Sequence, residues 1–179
     1  MIYILTTPLN TLELKGRALG NYPAHFNAAA RKALRQTCEA LKAKGIQHVY
    51  ASDMDADALH IVADELHAPA SQEYGLRKFN IGRQHGAKLD HVRGILEQLV
   101  PKWGSNDSIP IRGGDSWRSV EKRLFKTFDT LMGGEEVSVV ITDAATATLL
   151  QMRTAKALTV NGAGCSPGKV YMVNHAGAN

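Results

Sequence analysis

The opening run Ile2-Tyr3-Ile4-Leu5-Thr6-Thr7-Pro8 constrains the fold more than any other stretch of this chain. Four consecutive apolar residues read as a short buried strand, and Pro8 ends it because proline cannot donate to a sheet ladder. Thr6 and Thr7 then stand at the strand's carboxyl end. In open α/β sheets that edge is where ligands bind. Two later segments deliver polar groups in the same way: residues 47–50 lead into Ala51-Ser52-Asp53, and residues 137–142 lead into Asp143.

Between these strands the pattern switches to helical spacing. Asn27 is a good N-cap for a helix expected over 28–44, closed by Gly45, with Ala30, Leu34, Cys38 and Leu41 on one face. Further helices are expected over 56–67, 89–99 (stopped by Pro101), 116–132 and 144–158, with a last strand over 169–173 and a frayed tail from Asn174. Residues 74–86 read as irregular and cation-rich, and 102–114 as a loop flanked by Trp103 and Trp117. Strands alternating with helices predict a mostly parallel sheet covered on both faces, a three-layer α/β sandwich. At 179 residues the whole chain is expected to form one domain.

Composition works by exclusion. A net charge of +4 without a Lys/Arg block argues against nucleic-acid binding. Cys38 and Cys165 make no disulfide framework or metal motif, and no structural metal or cofactor is expected. With neither a signal peptide nor a membrane-length apolar run, the expected location is cytoplasmic. Oligomeric state is left open.

Taken in order, several landmarks resemble the histidine phosphatase superfamily, the phosphoglycerate mutase-like fold. That family opens with a strand ending in Arg-His-Gly, then an Arg-x-x-Gly loop; here Thr6-Thr7-Pro8 and Gly16-Arg17-Ala18-Leu19-Gly20 stand at the same spacing. Phe26-Asn27 and Ala30-Arg31 are similar to the family's first helix start. Tyr50-Ala51-Ser52-Asp53-Met54 is similar to its Tyr-Ser-Ser-Asp-Leu strand end, and Leu76-Arg77-Lys78-Phe79 to its Leu-Arg-Glu-Phe segment. Gly114-Asp115-Ser116 with Arg123 resembles its Gly-Glu-Ser helix start, and residues 139–144 its Val-Val-x-Ser-His-Gly strand.

The departures fall where the resemblance puts the chemistry. The family's nucleophilic histidine aligns with Thr7, the preceding arginine with Thr6, a second phosphate-holding arginine with Ala56, the second histidine with Asp143, and the acidic proton donor with Lys78. A phosphohistidine route needs an imidazole, and phosphoryl transfer needs cations around the moving oxygens. At roughly 3 kcal/mol per lost donor, the family's reaction is expected to be abolished. The resemblance therefore implies a pseudophosphatase with no catalytic residues of the family type, acting by binding or regulation.

Other readings of the same residues carry different expectations. Thr7 activated by Asp143, or a metal at Asp53, would make a hydrolase of another mechanism; a closed cleft would leave a structural or interaction module. Local hydrogen bonding is the commoner role for strand-end threonines, and Asp143 is expected to pair with Lys78 or Arg17. Asp53, Asp55 and Asp57 fail as a calcium loop, because Ala58 and Asp64 stand where glycine and glutamate are needed, so they are expected to cap and enrich a helix start. Arg17, Arg77, Lys78 and Arg83, with His85, are expected at the mouth of the cleft, where they would attract an anionic small molecule; a protein partner is the other expected occupant. None of the seven histidines has metal-ligand spacing; His60 and His85 are the ones placed to replace a lost imidazole.

Overall fold

The computed structural model describes residues 1–95, 112–154 and 164–173. Five strands, β1 (Ile2–Thr6), β2 (His48–Ala51), β3 (Ala70–Gln72), β4 (Ser138–Thr142) and β5 (Val170–Val173), form one sheet in the order β3-β2-β4-β1-β5. All pairings are parallel except β1 with β5. Every residue of β1 and β4 is buried, as strands covered on both faces require. Alternation divides them cleanly. Tyr3, Leu5, Val139 and Ile141 pack with Leu34, Cys38, Leu59 and Val62. Ile2, Ile4 and Val140 face the other way, onto Leu124, Phe125, Phe128 and Leu150. Each fully buried Ile or Leu contributes about 1.5–3 kcal/mol, so this two-sided burial fixes the register of the central strands.

One layer consists of α1 (Ala28–Cys38) and α2 (Ala56–Leu66). Asn27 caps α1 as expected, accepting from the Ala30 N–H at 2.8 Å. The helix stops at Cys38, short of residue 44. Its continuation tightens into a 3-10 turn, Lys42–Lys44, before Gly45 turns the chain in the left-handed region (φ 64). His67 closes α2 with φ 51.

The opposite layer contains a helix that begins at Leu89, then α3 (Trp117–Val120) and α4 (Lys126–Met132), and finally α5 (Ala144–Thr154). The expected single helix over 116–132 is interrupted between α3 and α4 by a π turn, Glu121–Phe125. That wider turn contains Arg123, whose guanidinium donates to the carbonyls of Gly75, Arg77 and Lys78 and to Asp115. It thereby anchors the loop after β3. The approach is close: a Cβ at Gly75 would lie 1.9 Å from the Thr127 hydroxyl, so only glycine fits. Trp103, most of the 102–114 loop, the end of the 89–99 helix, residues 155–163 and the tail from Asn174 lie outside the described residues. No helix among the described residues is long and apolar enough to cross a membrane.

Candidate functional site

The carboxyl ends of β1, β2 and β4 come together at one edge, and a cleft of about 360 Å³ opens there. Thr7, Leu9, Glu13, Asp143 and Cys165 are among the residues that line it. The two threonines do different work. Thr6 is fully buried; its hydroxyl accepts from the Lys169 N–H (2.8 Å) and points at the carbonyls of Ser166 (2.7 Å) and Lys169 (3.0 Å). It clamps the loop before β5 onto the end of β1, the local bonding expected of it. Thr7 is 5% exposed, and its hydroxyl has no hydrogen-bond partner among the described residues. The base-to-nucleophile bond that a Thr7–Asp143 hydrolase uses is therefore not made in this structure.

Asp143 caps α5, accepting from the Thr146 N–H at 2.7 Å through one oxygen. Glu13 reaches the same cleft by a local device. Asn10 accepts from the N–H groups of Leu12 and Glu13, and Glu13 returns one oxygen to the Asn10 N–H, each at 3.0 Å. This is the reciprocal geometry of a capping box. Asn-x-x-Glu is a legible signal for it, and Glu13 was not among the residues expected at the site.

Lys78 lies in the anchored loop, 4% exposed, with its ammonium 3.5 Å from the wholly buried Asp55 carboxylate. At that distance the contact is an ion pair more than a hydrogen bond. The other Asp55 oxygen accepts from the Ser52 hydroxyl at 2.8 Å. Burial works to lower the Lys78 ammonium, but Asp55, Asp143 and Glu13 together hold it above the ordinary lysine value. Burial raises the Asp55 carboxyl against the pull of Lys78 and Ser52. Glu13 is raised too, by burial first, and Asp143 and Asp55 add to the effect against the Asn10 N–H and Lys78. Three carboxylates share one ammonium.

The expected pairing of Asp143 with Lys78 or Arg17 takes a different form. Lys78 makes its contact with Asp55, and Asp143 acts on it through space. Arg17 is exposed and donates to the Gly86 carbonyl. The aspartate trio does not cap: no side-chain cap bond forms at the start of α2. Asp53 holds Arg77 in a two-pronged ion pair, Asp57 meets Arg31 at 2.9 Å, and Asp55 turns inward to Lys78. Arg77 also stacks over Tyr74, 4.1 Å from the ring centre. Arg83 and His85 are exposed, with the His85 ring against Tyr22 and the Leu19 carbonyl. None of Arg17, Arg77, Lys78 and Arg83 is a lining residue of the cleft. Ala56, half-buried, opens α2 and brings no functional group. His60 is exposed, and among the described residues no histidine lines the cleft. Nor is any trio of His, Cys, Asp or Glu among them arranged to hold a metal.

This architecture agrees with comparisons to known proteins. The sequence matches the histidine phosphatase superfamily (branch 1) over residues 10–177, and the chain belongs to that superfamily. No curated protein matches it. Among solved structures it is similar to YhfR of Bacillus stearothermophilus, at 16% identity and a TM-score of 0.75, covering 94% of this chain and 88% of that one. A mycobacterial glucosyl-3-phosphoglycerate phosphatase complexed with VO3 superposes with the same TM-score and coverage at 15% identity. A protein described as mycobacterial hydrolase 1 gives 0.76 at 14% identity, covering 99% of this chain and 98% of its own. At these identities the likeness is one of fold.

Proposed function

We propose that this protein is a histidine phosphatase-fold protein without the family's chemistry, a pseudophosphatase that works by binding at the remodelled cleft. The observation that carries the reading is the floor of that cleft. Thr7, Glu13 and Asp143 face it, Lys78 is committed to carboxylates behind it, no imidazole lines it among the described residues, and the Arg93 guanidinium in its wall comes from the facing helix, 3.6 Å from Asp90. A phosphoryl acceptor of the family type needs an imidazole, and the transferring group needs several cations. Here the charge has the opposite sign.

The test is a turnover assay on a panel of phosphate monoesters with the purified protein and its Thr7→Val variant. The expected result is no hydrolysis above the uncatalysed rate for either. Turnover by the wild type would sink the proposal, and its loss in Thr7→Val would assign it to a threonine-dependent hydrolase.

A further inference from the structure

We propose that the cleft takes a small primary-ammonium ligand with a short apolar tail, its charged head held by Thr7, Glu13 and Asp143. The inference rests on the binding reading above and names the ligand class for the same site. Its first support is Thr7. The residue is only 5% exposed, lines the cleft and has no partner for its hydroxyl among the described residues, so that hydroxyl is open to a ligand in the cleft. The second is the pair of half-used carboxylates. Glu13 gives one oxygen to the Asn10 N–H and Asp143 gives one to the Thr146 N–H, and among the described residues no hydrogen bond is made to their second oxygens. An –NH3⁺ head has three donors and no acceptor, which matches a hydroxyl and two carboxylate oxygens.

Charge points the same way. Among the described residues Lys78 lies beneath the floor with its ammonium 3.5 Å from Asp55, and the carboxyl groups of Asp143 and Glu13 act on it as well, so carboxyl groups outnumber cations there. The N-terminus of α5 would favour an anion, but Asp143 already caps it. At the rim, Arg93 is 3.6 Å from Asp90 on its own helix. A phosphate dianion would meet like charge. Leu9, Leu89, Val92, Ala144 and Pro167 give the remaining walls a mainly apolar surface, broken by Thr148 and by Arg93 at the rim, and the volume of about 360 Å³ lies at the small end of ligand sites.

The experiment is an amide-resolved NMR titration with n-butylammonium, with n-butanol as its neutral isostere and inorganic phosphate as the anion. Butylammonium is expected to shift the Thr7, Glu13, Asp143 and Ala144 amides saturably, while butanol binds at least roughly tenfold more weakly, the factor carried by one charged hydrogen bond. Phosphate is expected to leave those amides unmoved. Glu13→Gln, which keeps an oxygen for Asn10, and the isosteric Thr7→Val should each weaken butylammonium by roughly tenfold while keeping a native-like spectrum. Equal binding of butanol, saturation of these amides by phosphate, no response to butylammonium, or full binding by both variants would each overturn the inference. The binding reading itself falls only to phosphate-ester turnover, so the two failures are distinct.

Discussion

The buried pair Lys78–Asp55 and the exposed pair Arg153–Asp129 join the same kinds of group and differ in almost everything else. The exposed pair has good geometry, 2.9 Å, with each side chain about half exposed (48% and 49%). The buried pair is longer, 3.5 Å, with exposures of 5% and 0%. Water can hydrate either member of the exposed pair if its partner leaves, so its geometry says little about its worth. Neither member of the buried pair has that recourse. The lesson is that the weaker-looking contact carries the larger consequence, and it stands beneath the candidate site.

The largest expected effect comes from breaking the buried pair on one side. Asp55→Leu should cost about 3–5 kcal/mol in urea unfolding, because it takes the nearest carboxylate from a buried ammonium and leaves only the more distant Asp143 and Glu13 to answer it. Combining it with Lys78→Met should recover most of that loss; a double variant as unstable as the single one would show that packing, not charge, sets the cost. An intermediate case sharpens the contrast. Arg77 hydrogen-bonds Asp53 and holds its carboxyl below the ordinary aspartate value. A lowered folded-state value means the stabilisation is present above the unfolded value and lost as pH falls through the folded one. Asp53→Ala should therefore cost about 1–2 kcal/mol near neutrality, discounted for partial exposure, with the gap to wild type closing in acid. The smallest effect belongs to the exposed pair. Asp129→Ala should cost at most about 1 kcal/mol by thermal unfolding, and less in high salt.

How much of this was legible depended on whether the signal was local. The apolar run of β1 and the Asn27 cap each act within a few residues, and both are found where the sequence places them, whereas Gly45 closes the 3-10 turn that follows α1 and not the helix itself. β3 escaped notice because Ala70-Ser71-Gln72 is three residues long, has no apolar stripe, and exists only by pairing with β2 at the sheet's edge. The π turn escaped because helical periodicity alone does not distinguish a continuous helix from one widened to seat Arg123. At the site, the resemblance brought Thr6, Thr7, Lys78 and Asp143 to one edge. Asp55 looked like a helix-start carboxylate, as Asp53 and Asp57 did. Only the fold decides which of the three faces Lys78, because the 3-10 turn Asp53–Asp55 and the first turn of α2 present them to different neighbours. Arg77 looked like a cleft cation until Asp53 claimed it.

The Thr6 clamp also bears on the order in which the molecule can be completed. Its partners at Ser166 and Lys169 come 160 and 163 residues later in the chain, and both strands that flank β1 lie in the last quarter of the sequence. At about 5–20 residues per second, a ribosome needs roughly 8–30 seconds to supply them after Thr6 is made. Of the five strands of this sheet, the first to be made is thus the last to be paired on both sides. Until β4 is made Ile2-Tyr3-Ile4-Leu5 is an apolar strand without neighbours, and until β5 follows it keeps one open edge.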